Sequence, residues 1–270
     1  MADIKSQFIL NFIEKDRWRL LVDGLGNTLK ITAVACLIGI CIGVIIAIVR
    51  STWDKNHLTM RPGIGKTLLG IVNGICKVYL TVIRGTPVVV QLMIIYYIIF
   101  ASSRNSLAIA MLAFGINSGA YVAEIVRGGI MSIDEGQFEA GRSLGFNYVR
   151  TMQYIIIPQV FKNVLPTLAN EFIVLLKETS VAGYVAVKDL TRAGNLIRNN
   201  TFDAFNPLIA VALVYLILVI LLTKLLSRLE RRLSKSELMP LRISSAIYAA
   251  EFRPKVTIPT TTPSEDLSIR

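Results

Sequence analysis

The chain has 270 residues, of which 53% are hydrophobic and 17% are charged, and its formal net charge is +11. Soluble domains usually carry about a quarter charged residues, so this composition excludes an ordinary soluble protein and predicts an integral membrane protein. In a membrane protein the surplus of Lys and Arg is typical of cytoplasmic loops, which argues against a nucleic-acid-binding function.

The N-terminal residues 1–20 do not combine a charged start with a sustained apolar core, so we expect no cleavable signal peptide there. We interpret them as an extracellular segment in front of a transmembrane domain that covers residues 21–235.

Five stretches predict membrane-spanning helices, since a span needs about 20 mostly apolar residues. Four of them carry few or no charges, whereas the fourth in chain order contains Glu171, Lys177 and Glu178. The predicted spans are residues 31–49, 85–103, 105–123, 165–187 and 204–223. The sequence therefore predicts an all-α membrane fold with about five transmembrane helices.

Charge counting predicts the orientation, because short cytoplasmic loops carry an excess of Lys and Arg. The 50–84 loop and the stretch KLLSRLERRLSK after the last span are both strongly basic, so both are predicted to be cytoplasmic. The 129–163 loop is then cytoplasmic too, and the basic end returns inside only if 165–187 also spans the membrane. This places the N-terminus outside and the C-terminus in the cytoplasm.

Two pairs of glycines lie four residues apart in predicted spans, Gly39 with Gly43 and Gly115 with Gly119. Small residues at this spacing let helix backbones approach closely in lipid. We favour packing within one bundle over a dedicated dimer face.

The few Cys and His residues do not predict a metal site. Cys36, Cys41 and Cys76 stand among apolar residues without metal-like spacing, and we interpret them as packing residues. The single histidine, His57, lies in a basic loop and is interpreted as a solvated side chain.

The 129–163 loop has the pattern of two short helices joined by a turn. Ser132 and Glu135 form a capping-box pattern before residues 133–144, and Gly145 is a typical helix stop. Asn147 can cap a second helix, which we expect Pro158 to interrupt. The polar side of the loop carries Gln137, Glu139 and Arg142, and its apolar side carries Ile133, Phe138, Leu144 and Phe146. An amphipathic loop of this kind can also rest on the membrane surface.

This loop contains Glu139, Ala140, Gly145, Ile155 and Pro158 at a spacing that resembles the "EAA" loop in membrane subunits of ATP-driven (ABC) importers. Gly141 stands where that pattern usually has Ala, and Ile157 stands where it usually has Leu. Further motifs follow in the expected order and are similar to the polar amino-acid branch, over roughly residues 17–235. They are RGTP at 84–87, AEIVRGGI at 123–130, GQ at 136–137, LPTLANEF at 165–172 and LLKETS at 175–180.

The resemblance implies a type I ABC importer permease in a prokaryotic plasma membrane, with a cytoplasmic helix-turn-helix that couples to ATPase subunits. It implies two P-loop ATPases that bind ATP and Mg, an extracellular substrate-binding protein, and a second permease copy or a paralogue within the lipid bilayer. The coupling residues it implies are Gln137, Glu139, Ala140, Arg142, Gly145 and Pro158.

The chain itself is not expected to be an enzyme or to bind a cofactor. GIGKT at 63–67 ends like a phosphate-binding P-loop, but Met60 stands where that loop needs its first glycine. We therefore expect ATP hydrolysis in a partner subunit.

Charge inside a bilayer costs roughly 2.5–3.5 kcal/mol per residue on insertion scales, so Glu171 is a candidate for the substrate pathway. It would receive the α-ammonium group of the substrate, with Asn117, Ser118, Tyr121 and Asn170 as further polar residues of the pathway. A buried polar bridge between helices, with Glu171 paired to Lys177 or to the backbone, is the alternative.

Four neighbouring residues have two open interpretations, a gate near the membrane midplane or a Lys–Glu cluster that only stabilises the bundle. They are Lys177, Glu178, Thr179 and Ser180. Glu124 and Arg127 are interpreted as an interfacial pair on one helix face.

After Lys235 the helical pattern ends, and we expect residues 236–270 to be a mostly disordered cytoplasmic segment. The alternative function is an ion-coupled secondary transporter of small polar solutes, although such proteins usually have more spans and internal repeats. A membrane enzyme is a third class, which lacks a plausible nucleophile and base here.

Overall fold

The computed structural model describes the backbone of residues 4–251 and the side chains of residues 5–228, and every described element is helical. The α-helices are α1 Ile4–Phe8, α2 Trp18–Asn56, α3 Ile64–Gly85, α4 Val88–Ile94, α5 Ser106–Met131, α6 Glu135–Ser143, α7 Tyr148–Thr151, α8 Ile157–Glu178, α9 Leu190–Thr201 and α10 Phe205–Glu251. Wider π-type turns extend three of them, at Ile9–Ile13, Ile95–Ile99 and Met152–Ile156, and 3-10 turns lie at Glu14–Asp16 and Thr179–Val185. The predicted all-α class is confirmed.

Contacts divide the chain into two units, Met1–Arg228 and Leu229–Arg270. All packing described below belongs to the first unit. The backbone of α10 continues to Glu251, so the segment after Lys235 is helical over residues 236–251, where the sequence pattern predicted no helix. The rest of the predicted disordered tail, 252–270, lies outside the described residues.

Among the described residues, four helices are long and apolar enough to cross a membrane: Trp18–Asn56, Ile64–Gly85, Ser106–Met131 and Phe205–Arg228. Three of these overlap the predicted spans 31–49, 105–123 and 204–223. The predicted span 165–187 overlaps α8 and the 3-10 turn after it. With 22 residues α8 is long enough to cross, but it is too polar to be one of the four.

The region between Arg50 and Ser103 corrects the sequence prediction. Residues 50–84 were expected to be a basic loop, yet they contain α3, one of the four candidate spans. The basic residues of α3 are interspersed with apolar residues, so the helix remains apolar enough to cross a membrane. The predicted span 85–103 is instead a short helix over Val88–Ile99. A helix of this length is only about 18 Å long, shorter than a hydrocarbon core of about 30 Å.

A break at Thr86 and Pro87, both with extended backbone, separates α3 from α4. The two helices cover different parts of α5. On α3, Leu80 packs in one cluster with Ala120 and Ala123 of α5. On α4, Leu92 packs in another cluster around Phe114. Together α3 and α4 therefore follow the length of α5 as one broken helix.

The four predicted glycines lie where α2 crosses α5. A methyl group added to Gly39 would lie 2.8 Å from the Ser118 Oγ, and one on Gly43 would lie 2.5 Å from Val122. Methyl groups on Gly115 and Gly119 would also be crowded, at 2.7 and 2.9 Å from their nearest neighbours. Packing within the bundle is thus confirmed as the role of these glycines.

Candidate functional site

The turn between α5 and α6 differs from the predicted capping box. Ser132 continues the last turn of α5 with helical backbone, and its hydroxyl donates a hydrogen bond to the Gly129 carbonyl. The first cap of α6 is Asp134, whose Oδ1 accepts a hydrogen bond of 2.6 Å from the Gly136 amide. Because α5 extends to Met131, Ser132 is already helical and cannot serve as the extended N-cap residue.

The turn after α6 has the predicted geometry. Gly145 has a φ of +77°, in the left-handed region, and its amide donates to the Arg142 carbonyl. The Phe146 amide donates to the Gly141 carbonyl at 3.0 Å, which completes a Schellman motif. Asn147 then caps α7, where its side chain accepts a hydrogen bond of 2.9 Å from the Arg150 amide.

Pro158 does not interrupt the second helix as predicted. The chain passes from α7 through the wide turn Met152–Ile156 directly into α8, with Pro158 in the first turn of α8. Proline has no amide to donate, and a first helical turn needs none. The Ile157 amide reaches back five residues to the Met152 carbonyl, so the wide turn accommodates the proline ring without ending the helix.

The outer surface of this helical turn mixes polar and apolar groups. Its exposed polar side chains include Gln137, Glu139 and Arg142, whereas Ile133 and Phe138 are buried as predicted. Leu144, which was also assigned to the apolar side of the loop, is 70% exposed. It lies at the end of α6, where the backbone turns away from the core. Val149 nearby is 68% exposed, so the surface around Glu139 combines charge with apolar side chains.

Two ion pairs attach α6 and the end of α5 to α2. The Lys55 ammonium lies 2.6 Å from a Glu135 carboxylate oxygen, and the Lys55 side chain is only 8% exposed. The Arg127 guanidinium lies 2.8 Å from the Asp54 carboxylate. Glu124 pairs with Arg84 of α3, so the predicted Glu124–Arg127 pair within α5 does not form. Both residues bind neighbouring helices because α5 is packed against α2 and α3.

The predicted pathway residues on α5 contact residues of α2, α3 and α4. Asn117 is 2% exposed, and its amide nitrogen donates a hydrogen bond of 3.0 Å to the Gln91 Oε1. The Asn117 Oδ1 is buried and accepts no hydrogen bond. Ser118 faces Gly39 of α2, and Tyr121 is half-buried with the Arg84 guanidinium 5.7 Å from its ring centroid.

The Gln91 amide joins the two sides of the α3–α4 break. Its nitrogen donates hydrogen bonds of 2.7 Å to the Ile83 carbonyl and 2.9 Å to the Thr86 carbonyl. Pro87 offers no amide at this point, so the side chain supplies a donor that the backbone lacks. Sequence patterns gave no sign of this role for Gln91.

On α8, Glu171 and Glu178 are both partly buried, whereas Asn170 is exposed. Among the side chains of residues 5–228, neither carboxylate forms an ion pair, so Glu171 is not bridged to Lys177. Lys177 is exposed, Ser180 is half-buried, and the buried Thr179 hydroxyl donates to the Leu176 carbonyl at 2.7 Å.

A cavity of about 570 Å³ lies between α2, α3 and α5. The sequence analysis missed it because it treated α3 as a loop. Its lining residues are Arg50, Lys77, Leu80, Thr81, Arg84, Gly85 and Glu124. Three of these are basic, and Arg84 is paired with Glu124. Within the described part of the chain, no group of three His, Cys, Asp or Glu side chains is placed to hold a metal ion.

Comparison with known proteins gives consistent matches. A family model described as "Binding-protein-dependent transport system inner membrane component" matches residues 64–235. The chain is 34% identical over 220 residues to the arginine transport system permease protein ArtQ of Bacillus subtilis (strain 168), covering 80% of this chain and 94% of that protein. It is 37% identical over 221 residues to the glutamine transport system permease protein GlnP of Escherichia coli (strain K12), covering 79% and 93%.

Solved structures agree with these matches. The chain is similar to one from the "Crystal structure of an amino acid ABC transporter with histidines", with a TM-score of 0.72 and 38% identity over 86% of this chain and 99% of that one. A chain of the MetNI methionine ABC transporter in an inward-facing conformation has a similar fold, with a TM-score of 0.68 and 19% identity over 82% and 98%.

Proposed function

This chain belongs to the family of binding-protein-dependent transport system inner membrane components, and we propose that it forms the pathway of an ATP-driven importer of polar amino acids. It is the permease component of an amino-acid ABC importer. We assign its energy supply to two separate P-loop ATPase subunits that bind ATP and Mg. A second permease copy or a paralogue completes the pathway, and an extracellular binding protein delivers the substrate.

The surface around Glu139 is the proposed ATPase docking site. A mixed polar and apolar surface held by a rigid Schellman turn supports this assignment, because a partner can bury Leu144 and Val149 while its charges meet Glu139. The same helix also exposes Gln137, Ala140 and Arg142. The backbone turn that follows it contains Gly145, and the next long helix begins with Pro158 in its first turn. We propose accordingly that the loop and the C-terminus lie in the cytoplasm and that the N-terminus lies outside a prokaryotic plasma membrane.

The observation that carries the substrate proposal is the pair of unpaired, partly buried carboxylates Glu171 and Glu178. A partly buried carboxylate that forms no ion pair favours a cationic ligand, such as the α-ammonium group of an amino acid. Asn117 and Tyr121 are proposed as further polar groups of the pathway, and Ser118 and Asn170 stay proposals at its edge. Lys177, Glu178, Thr179 and Ser180 keep their two interpretations as gate or structural cluster.

A pull-down of the tagged chain in mild detergent tests the docking proposal. We expect the wild type to recover a P-loop ATPase and Glu139→Lys to lose it, with Asp23→Lys, at another exposed acidic position, as the control. Recovery of the ATPase with Glu139→Lys would contradict the proposed site. If folded wild-type protein recovers no ATPase, the ion-coupled alternative is tested by comparing orthovanadate with an ionophore as inhibitors of uptake.

Uptake of radiolabelled glutamine and arginine into vesicles tests the substrate site. We expect Glu171→Gln to raise the half-saturating concentration at least about tenfold, because it removes a partly buried charge that faces the ligand. Unchanged uptake kinetics would contradict a role for Glu171 in binding while leaving the docking proposal intact.

A further inference from the structure

Within the segment before α2, residues 7–13 have inverted polarity, whereas Lys5 and Ser6 in front of them are exposed polar residues. Its polar side chains Gln7 and Asn11 face the protein, and Asn11 is 0% exposed. Its apolar side chains face outward, with Phe8 and Ile13 each 55% exposed and Ile9 44% exposed. A helix in water buries its apolar side and exposes its polar side, so this arrangement indicates apolar surroundings.

Hydrogen bonds hold the polar side of this segment on the turn between α9 and α10. The Asn11 amide donates to the Asp203 carboxylate at 2.7 Å, and the Thr201 hydroxyl donates to the Asn11 oxygen at 2.8 Å. The Asn206 amide donates to the Gln7 side chain at 3.3 Å. The outward position of the apolar residues is therefore fixed by specific bonds on the opposite side.

The apolar side of the segment continues onto an exposed apolar surface of α10, one of the four candidate spans. Phe202 and Phe205, on either side of Asp203, are 95% and 71% exposed. Beyond them, Leu208 and Ile209 are exposed on α10, a candidate span of which only 6% is buried within the protein. The lipid-facing surface of α10 thus extends through its first turn to residues 8–13.

The chain reverses after Ile13 through a basic turn. Lys15 and Asp16 both have left-handed backbone, and a cavity of about 560 Å³ here is lined by Lys15, Asp16, Arg17, Arg19, Leu20 and Asn200. Arg17 donates to the Leu10 carbonyl, and Arg19 pairs with Asp16 at 3.3 Å. Trp18 is 45% exposed beside this turn. Basic residues and Trp next to an apolar surface are typical of the boundary between lipid head groups and acyl chains.

From this inverted polarity and its continuity with α10, we propose that residues 7–13 form a membrane-interface anchor. The apolar side of this anchor faces the lipid bilayer at this end of the bundle. Phe8, Ile9 and Ile13 lie at the acyl boundary, and the Lys15 turn lies at the level of the phospholipid phosphates. This role does not depend on how the substrate is transported. It adds to the predicted extracellular N-terminal segment a part that lies along the membrane surface.

Spin labels can test the anchor in the complete importer, reconstituted in vesicles of phosphatidylethanolamine and phosphatidylglycerol. Cys36, Cys41 and Cys76 are first replaced by Ala, and a single label is then placed at Ile9→Cys or at the control position Lys15→Cys. We expect the Ile9 label to collide more with oxygen, which is concentrated in lipid, and the Lys15 label to collide more with a water-soluble nickel chelate.

Two results would overturn the proposal. Equal access of the nickel chelate to both labels would put residue 9 in water. Protection of the Ile9 label from both reagents would show that a protein surface covers it. If the cysteine-free chain does not assemble, Ile9→Trp in the native chain gives the same decision. Lipids brominated in the upper part of their acyl chains should quench the fluorescence that the new Trp adds. Unquenched Trp fluorescence would contradict the anchor.

Discussion

The Lys55 ammonium of α2 and the Glu135 carboxylate of α6 are 2.6 Å apart, which attaches the helical turn around Glu139 to a membrane-spanning helix. The same ammonium lies 4.0 Å from the centroid of the Phe138 ring. One nearly buried cation therefore contacts both an acid and an aromatic ring of α6. Any displacement of α6 by a bound partner acts directly on the end of α2.

We expect Lys55→Met to lower substrate transport about fivefold relative to ATP hydrolysis, because it removes contacts of about 1 kcal/mol while keeping the apolar stem. Both rates would be measured in the same reconstituted importer. Lys30→Met, at an exposed position of α2, is the matched control and should leave the ratio unchanged. An unaltered ratio in Lys55→Met would show that this contact does not transmit force.

Gly145→Ala should destabilise the turn by about 1–2 kcal/mol, because its φ of +77° is unfavourable for any residue with a Cβ. Gly128→Ala is the control, since a methyl group there meets nothing within 4 Å and α5 is helical at that position. The control should be neutral or slightly stabilising. Thermal unfolding in detergent distinguishes the two, and equal midpoints would contradict the strained-turn argument.

Gly43→Ala should lower stability by about 1–3 kcal/mol, since the new methyl would lie 2.5 Å from Val122 and 2.8 Å from the Ala123 amide nitrogen. Adding Val122→Ala should restore only part of the loss, because the backbone contact remains. Gly74→Ala, with open space on α3, is the control. Full rescue by the double variant would show that the side chain alone causes the crowding.

Acid should release the N-terminal segment. The Asn206 side-chain amide, followed by the Asn11 amide, holds the pKa of the Asp203 carboxyl below its usual value. A lowered pKa stabilises the folded state above the unfolded value of about 3.9, and the contribution disappears as the pH falls through the folded pKa. The mobility of a spin label at Ile9→Cys should therefore increase below about pH 4. In Asp203→Asn this transition should be absent, and its persistence would assign it to another group.

Local sequence patterns correctly predicted those features whose geometry depends on residues close by in the sequence. Gly145 ends α6 and Asn147 caps α7 as their residue types indicate, and the paired glycines of α2 and α5 pack together. The Ser132 capping box was wrong because tertiary packing extends α5 beyond the point where its pattern ends.

Charge counting was less successful, because it ignores where a side chain points. Lys77 and Arg84 were assigned to a loop, although both belong to α3 and line a cavity against α5. The pairing of Arg84 with Glu124 joins residues 40 positions apart, and no local pattern contains that information. The role of Gln91 at the helix break was missed for the same reason, since its partners depend on how α4 meets α5.

The hydrogen bond between Asn11 and Asp203 also constrains the order of events during synthesis. Asn11 meets its partners Thr201 and Asp203 only after 190 and 192 further residues have followed it. At about 5–20 residues per second, Asn11 waits roughly 10–40 s for these partners to be made. The Asn11 amide also donates to the Gln7 carbonyl at 2.8 Å, and this local bond needs no residue that is synthesised later. This segment is thus synthesised long before its partners, and it is among the last to reach its final place.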